Sequence, residues 1–522
     1  MVRGTSIGMA DKRTSARLLT NSAFNASAFV VAAALNILVI PFVIRQLGLS
    51  AFGVAGLVTA CIAPAMIFSA PLGLSAARAF AMRLDPDRQG DARRYFASAL
   101  FLALTVGGTI AIVLGLGGPK LARTAFNLQQ GDLDAAFAFA AFGWLCQCFS
   151  AVLLSLLTAR QDYGSIASLN VGGTVVATAA TFVLVPLLPQ ASTWLACQAL
   201  GAMTALAGAS VLSLRLCKGW LSAPAFHRTE ARDLARFGSW QLVAQGGGLI
   251  AAQADRYLLG ALLPPEFVGF YVVAQRLEEA IYIGVLKVGE ILFPFFSTLQ
   301  AEARDRRVDL LLRASWMLNL LAACALGAII PAAGPVLYLW TGPRVASEAE
   351  LTLVMLSVAG ILGCGVNALM FYLLAEGRSR ANATIAFVTA VVTLATSALV
   401  LPAFGWRAAG WSACAGMVAQ IVTVFALLGR TFDRAAGWPR IFHFVLQPLL
   451  TGIAAALVLR HVVNALIPGS VLPWWMVGGL YGAAVVAISA AVVAVSLLGP
   501  YGKTCARDLQ SIWRRVSSLR AR

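Results

Sequence analysis

Charge is scarce in this sequence. Asp, Glu, Lys and Arg make up 12% of its 522 residues, against roughly 25% in ordinary soluble domains. Histidine is scarcer still. His227, His443 and His461 are the three in the chain, none near another, so acid-base and metal chemistry have little to build on. No Gly-rich phosphate loop of the form GxxxxGKS or GxxxxGKT occurs, which removes ATP as the expected energy source. The first twenty residues hold Arg3, Lys12, Arg13 and Arg17 but no apolar core with a small-residue cleavage site, so no cleaved signal peptide is expected. The nine cysteines lie mostly inside apolar runs, and the close pair Cys146 and Cys148 has no His cluster beside it. They read as small core hydrophobes, not as a disulfide or metal framework.

What the chain has instead is apolar length. Sixty per cent of it is hydrophobic, with a mean hydropathy of +0.82. The apolar residues are spread from about residue 21 to residue 498, which excludes both a soluble enzyme and a globular domain hung from one anchor. At roughly 20 to 25 residues per spanning helix, hydropathy gives spans near 21–44, 51–77, 95–117, 135–158, 163–188, 192–216, 237–262, 267–297, 310–333, 349–374, 381–402, 406–428, 441–466 and 472–498. The expected fold is an all-α polytopic membrane protein of about 14 transmembrane helices.

The cations set the orientation. With the N-terminal tail in the cytoplasm, 30 of the 39 Lys and Arg fall on that side, six fall opposite (Arg45, Lys120, Arg123, Arg344, Arg407 and Arg460), and Arg256, Arg276 and Lys287 fall within spans. Such asymmetry puts both termini in the cytoplasm. The net charge of +17 is therefore dispersed over short loops, with no concentrated basic face to follow a phosphate backbone, and no nucleic-acid partner is expected. Anionic inner-leaflet lipid accounts for it better. In the last segment, Leu509, Ile512, Trp513, Val516 and Leu519 make one apolar stripe amid Arg507, Arg514, Arg515 and Arg520, a basic amphipathic tail suited to the membrane surface.

Sliding the chain by 216 residues places Gly53 on Gly269, Gly118-Pro119 on Gly334-Pro335, Ala159 on Ala375 and Pro186 on Pro402. Spans one to six land on spans seven to twelve. The organisation read from this is a tail at 1–20, an N-lobe at 21–217, a linker at 218–236, a C-lobe at 237–433, two further spans at 434–498 and a tail at 499–522. Six spans between equivalent points make the six-helix lobes parallel, related by a pseudo-two-fold along the membrane normal. Transporters of this plan hold substrate between lobes and alternate access by rocking. A duplicated scaffold or receptor is the alternative.

Ionised side chains near the bilayer centre cost about 2.5–3.5 kcal/mol or more and usually have a role. Span seven has Asp255 and Arg256; span eight has Arg276, Glu278, Glu279, Lys287 and Glu290. At 100° per residue, Arg276, Glu279, Lys287 and Glu290 share a stripe about 60° wide and Glu278 points elsewhere. The stripe runs about 20 Å along the helix. It either lines an aqueous cavity or consists of i,i+3 pairs, Arg276 with Glu279 and Lys287 with Glu290, that only neutralise each other. Span one offers uncharged polarity in Asn21, Asn25 and Asn36, suited to a cleft or equally to a helix contact. Arg45 and Arg78 either snorkel or meet substrate phosphate.

At several of these places the sequence resembles a known family. Ile40-Pro41-Phe42-Val43-Ile44-Arg45-Gln46-Leu47-Gly48 with Phe52-Gly53, then Leu72-Gly73-Leu74-Ser75-Ala76-Ala77-Arg78, then Asp255-Arg256-Tyr257-Leu258-Leu259-Gly260 with Val268-Gly269-Phe270-Tyr271 are similar to segments of the Wzx-like polysaccharide transporters. These belong to the multidrug/oligosaccharidyl-lipid/polysaccharide exporter superfamily. The resemblance covers about residues 18–433. The family often has an acid just before the Leu-Gly-Leu of its second helix; here that place is Pro71, so any coupling carboxylate is expected in the second lobe.

The resemblance implies a flippase of the bacterial inner membrane. Its substrate would be undecaprenyl-diphosphate-linked oligosaccharide moving to the periplasmic leaflet for exopolysaccharide, O-antigen or capsule assembly. Expected partners are that lipid-linked substrate, membrane lipids and polysaccharide polymerase or chain-length machinery. No cofactor is expected, and the drive is the membrane potential or an ion gradient. A cationic cleft open to the bilayer would hold the phosphates. The candidate anion contacts are Arg256, Arg276 and Lys287, with Arg45 and Arg78; the candidate coupling or tuning acids are Asp255, Glu278, Glu279 and Glu290; Asn25 and Asn36 are candidate cavity polar groups.

Three rivals stand beside this reading. A cation-coupled drug exporter of the same superfamily would keep a carboxylate in its first lobe, yet spans one and two contain no Asp or Glu. A lipid II flippase shares the plan and the cationic cavity. A polysaccharide polymerase or ligase needs catalytic groups on a long outer loop, and the longest predicted ones, near 118–134 and 334–348, contain no His.

Overall fold

A computed structural model of the protein describes residues 4–83, 89–128, 131–216, 221–290, 296, 304–376, 378–435, 437–466 and 472–510, with the backbone alone at 4–27, 29, 89, 237–252, 290, 304, 379 and 430–435. Among the described residues the chain is helical throughout, with no strand. In hydrocarbon every backbone N–H and C=O must be satisfied within the chain, and a helix does this one segment at a time.

The helices follow one another as α1 (Gly4–Ile62), α2 (Met66–Ala81), α3 (Gln89–Leu102), α4 (Gly108–Ala125), α5 (Leu133–Ala159), α6 (Tyr163–Leu184), α7 (Ala191–Leu216), α8 (Arg228–Leu262) and α9 (Pro265–Glu290). They continue as α10 (Arg304–Gly327), α11 (Ile329–Thr341), α12 (Pro343–Ala375), α13 (Ser379–Phe404), α14 (Ala409–Ala435), α15 (Trp438–Ile441), α16 (Gln447–Leu466) and α17 (Trp474–Leu498). A turn of 3-10 helix joins α1 to α2, and π-helical turns join α3 to α4 and α15 to α16.

α1 is two helices meeting at Gly48, whose φ of 78° and ψ of 164° break the helical run. A side chain is rarely tolerated at such a positive φ, so glycine is the residue that lets the chain turn there. The break divides the first two expected spans. Eleven stretches of described helix are long and apolar enough to cross a membrane. The first, Val30–Ala81, holds two expected spans, whereas spans seven and eight, in α8 and α9, are diluted by Gln, Asp, Glu and Arg. Length and apolarity alone therefore do not reach the fourteen expected from the sequence.

The 216-residue offset is also visible in helix boundaries. α4 ends at Ala125 and α11 at Thr341 (125 + 216 = 341); α5 ends at Ala159 and α12 at Ala375 (159 + 216 = 375); α6 begins at Tyr163 and α13 at Ser379 (163 + 216 = 379). Pro119 and Pro335, matched in the sequence, both lie inside helices.

The chain forms two compact units, Met1–Gly269 and Phe270–Arg522. In the first, α7 packs on α5 and α6, α2 on α5, and α8 on α2 and α3. Lipid is as apolar as leucine, so close packing, not water exclusion, must hold such helices together. The α6–α7 contact shows how: a Cβ on Gly173 would meet the Gly201 carbonyl, and one on Gly201 would meet the Gly173 carbonyl and the Ala177 methyl. Gly53 and Gly269, equivalent at the 216 offset, also pack backbone to backbone. Tyr257 on α8 donates from Oη to the Ala60 carbonyl at 2.7 Å, tying α8 to the first unit.

In the second unit α12 packs on α14, α10 and α11, and α16 and α17 pack on each other and on α10. Ion pairs reinforce these contacts. Arg313 grips the Asp508 carboxylate with two nitrogens and lies 3.5 Å from Asp309. Arg440 pairs with Asp309, and Arg460 with Glu350 at 2.8 Å. Residues 502–510 are therefore fastened to protein, with Asp508 and Cys505 buried, where the sequence pointed to lipid. The rest of the expected apolar stripe, from Ile512 on, lies outside the described residues.

Candidate functional site

The two intramembrane charges of α8 are enclosed. Asp255 is 5% exposed and Arg256 4%, and Arg256 Nη1 donates to Gln253 Oε1 at 3.1 Å. A substrate phosphate would reach this guanidinium only after the packing around it opened.

α9 is different. Arg276 Nη1 stands 3.5 Å from Glu279 Oε2, one turn on, and the two side chains are 43% and 41% exposed. Self-pairing is thus real for this pair, yet an exposed ion pair is worth only about 0–1 kcal/mol, so an arriving phosphate can recruit the guanidinium at little cost. Lys287 is also exposed. It lies eleven residues further, which is about three helical turns and about 16 Å on nearly the same face. The side chain of Glu290 falls outside the described residues, as do those of Asn21 and Asn25.

Glu278 leaves that face, as its angle on the helix requires, and turns into the second unit. Its carboxylate lies against Gly360 of α12, where any Cβ would collide with it. One turn on, Tyr282 accepts from Asn367 Nδ2 at 3.3 Å. Asn367 is buried in the apolar middle of α12. Hydropathy passes over it because one amide barely changes the average of a 33-residue helix. A single Asn deep in such a run is nevertheless a readable signal, because its amide must find a partner.

In the first unit Arg45 and Arg78 are exposed on α1 and α2. Asn36 is exposed and donates from Nδ2 to its own helix at the Ala32 carbonyl, 2.9 Å. It borders an open cavity of about 400 Å³ lined by α1, α5, α6 and α7. Gln147, Ser150, Asn170, Thr174 and Gln198 also line it, and the sequence reading missed all five. A second cavity, about 550 Å³, lies in the second unit among Trp438, Phe442, His443, Leu446, Val495 and Gly499 and is almost wholly apolar. Among the described residues, no cluster of three His, Cys, Asp or Glu is placed to hold a metal ion.

Residues 18–300 match the family model described as polysaccharide biosynthesis protein. The chain belongs to that polysaccharide biosynthesis protein family. No curated protein matches it by sequence. Among solved structures it is similar to the lipid II flippase MurJ in an inward closed conformation, at 11% identity and a TM-score of 0.70, over 90% of this chain and 98% of that one. It is also similar to an inward-facing multidrug resistance MATE transporter of the MOP superfamily, at 16% identity and a TM-score of 0.67, over 79% and 96%. A third is a MOP superfamily transporter from Pyrococcus furiosus whose binding pocket is described as reversed in polarity, at 15% identity and a TM-score of 0.58, over 79% and 95%. This member of the polysaccharide biosynthesis family thus has the two-lobe, multi-pass membrane fold of those proteins.

Proposed function

We propose that this protein is a flippase that moves undecaprenyl-diphosphate-linked oligosaccharide from the cytoplasmic to the periplasmic leaflet of a bacterial inner membrane for surface polysaccharide assembly. Both termini are cytoplasmic in this reading. The observation that carries it is the exposed cationic face of α9, with Arg276 and Lys287 presented from a membrane helix, in a chain of the polysaccharide biosynthesis family. Phosphate oxygens are the substrate chemistry that such accessible cations recognise.

Alternating access brings the headgroup in on one side and releases it on the other while the polyprenyl tail stays in lipid. Glu279 holds Arg276 until the phosphate displaces it, and Glu278, against Gly360 of α12, takes up a coupling ion. The membrane potential or an ion gradient supplies the drive. A lipid II flippase is the second reading, favoured by the length of MurJ that the fold covers.

The lipid-linked intermediates of a deletion strain test both. Intact oligosaccharide repeat units accumulating on the inner leaflet are the expected result. Accumulating lipid II would move the assignment to the second reading, and unchanged lipid intermediates with lost drug resistance would overturn both.

A further inference from the structure

The cavity among α1, α5, α6 and α7 carries no charge among its described lining residues, and its polar groups are unusual in being unspent. Gln147, Asn170 and Gln198 are exposed to it, and their side chains make no hydrogen bond among the described residues. Ser150 is 7% exposed, and its hydroxyl has no partner among the described residues. Thr174 is the exception, donating to the Asn170 carbonyl at 3.0 Å. Asn36 has spent one donor on Ala32 and keeps its amide oxygen. These groups sit near the middle of their helices, at 147 and 150 in Leu133–Ala159 and at 170 in Tyr163–Leu184, and so near mid-membrane.

Unsatisfied amides at that depth cost free energy unless something polar fills the space. A metal ion or coupling cation would need a carboxylate there, and a phosphate would need a cation or a run of backbone N–H groups. Each primary amide offers one acceptor and two donors, which matches a ligand whose groups both donate and accept. Neutral sugar hydroxyls do both. At about 400 Å³ the space falls within the roughly 300–1,000 Å³ of small-molecule sites. The Gly173–Gly201 approach bounds it with backbone and methyl groups, leaving room for a ring.

We infer that this cavity is a neutral-glycan subsite: Gln147, Asn170, Gln198 and Ser150 hold sugar hydroxyls of the lipid-linked substrate, separately from the phosphate contacts of α9. The inference rests on the flippase reading and assigns the substrate's glycan chemistry, not its diphosphate, to the amides of the first unit.

The test uses the full-length protein in nanodiscs and two probes, a polyprenyl diphosphate carrying a short neutral oligosaccharide and the same polyprenyl diphosphate without sugar. The wild type is expected to bind the glycosylated probe about tenfold more tightly, the worth of two or so net hydrogen bonds. Gln147→Leu with Asn170→Leu should remove that advantage and leave the bare probe's affinity unchanged. Gln198→Leu alone, at an exposed position, should remove part of it, which keeps the test sharp if the double variant fails to fold. Variants that bind both probes as the wild type does, or that lose both together, overturn the glycan subsite and leave the flippase reading standing. A wild type that binds neither probe overturns the flippase reading and the subsite with it.

Discussion

The two units spend their polar groups in different ways. In the second unit ion pairs fasten the helix ends to one another: Arg313 to Asp508, Arg440 to Asp309, Arg460 to Glu350, Arg407 to Glu348 at 2.7 Å. In the first, a set of amides surrounds a cavity, with hydrogen-bonding capacity left over among the described residues. The difference follows from cost. An unpaired ion in a low-dielectric interior costs several kcal/mol and must be neutralised within the protein, while an amide costs little enough to wait for water or a ligand. One unit is thereby stiffened by its polar groups, and the other is left receptive by them. Asp255 and Arg256, buried at the edge of the first unit, are the exception, and they are enclosed as that rule requires.

The largest effect is expected from removing the exposed cations of α9. Arg276→Gln with Lys287→Gln should abolish export of the surface polysaccharide while membrane levels stay normal, measured by polysaccharide yield against immunoblot. Full export by that variant would place the anion contacts elsewhere. Next in size is the packing that bounds the receptive cavity. Gly201→Val sets side-chain atoms against the Gly173 carbonyl and should destabilise the first unit by about 3 kcal/mol or prevent accumulation, read by thermal unfolding in detergent.

Cutting a locked charge should have a smaller effect. Asp508→Ala leaves Arg313 with the more distant Asp309. Because the guanidinium is partly exposed, a loss of about 2 kcal/mol is expected instead of the full cost of an orphaned buried ion. Limited proteolysis should show the segment after Leu498 becoming the first cleaved, and a wild-type digestion pattern would mean that this pair does not hold the tail.

The smallest effect concerns Cys505, beyond the last span. Burial, with the Asp508 carboxylate nearby, pushes its thiol up to about 11. The folded state thus holds the proton more tightly than the unfolded chain, whose thiol titrates near the ordinary value of 9. Its contribution to stability is complete below pH 9 and is lost as pH rises towards 11. Alkylation of Cys505 at pH 8.5 should accordingly be slow in the folded protein and become fast in Asp508→Ala, which both lowers the thiol's pKa and uncovers it. Equal rates in the two proteins would detach the thiol from the ion pair.

Much of the architecture was legible from hydropathy and spacing. The 216-residue offset anticipated three helix boundaries, because a duplicated lobe must repeat its turns to repeat its packing. The stripe on α9 was legible too, since 100° per residue fixes which side chains share a face, and the structure brings Arg276 to Glu279 as that geometry allows. Glu278 was correctly set apart from the stripe, but its surroundings were not readable. Gly360 meets it from α12, a position that no local pattern links to Glu278. The amide cavity was the largest omission: Gln147, Asn170 and Gln198 are single polar residues in three different helices, each too diluted to register in a hydropathy window.

The sequence by itself determined that this is a membrane-spanning helical chain, how its cations are distributed along it, and that it repeats. Those properties are sums and periods along one dimension, and the bilayer reads them directly. Only the tertiary structure decided which polar groups are spent on one another and which remain open, because a hydrogen bond or ion pair depends on what a neighbouring helix presents, and helices that meet in space are far apart in the chain.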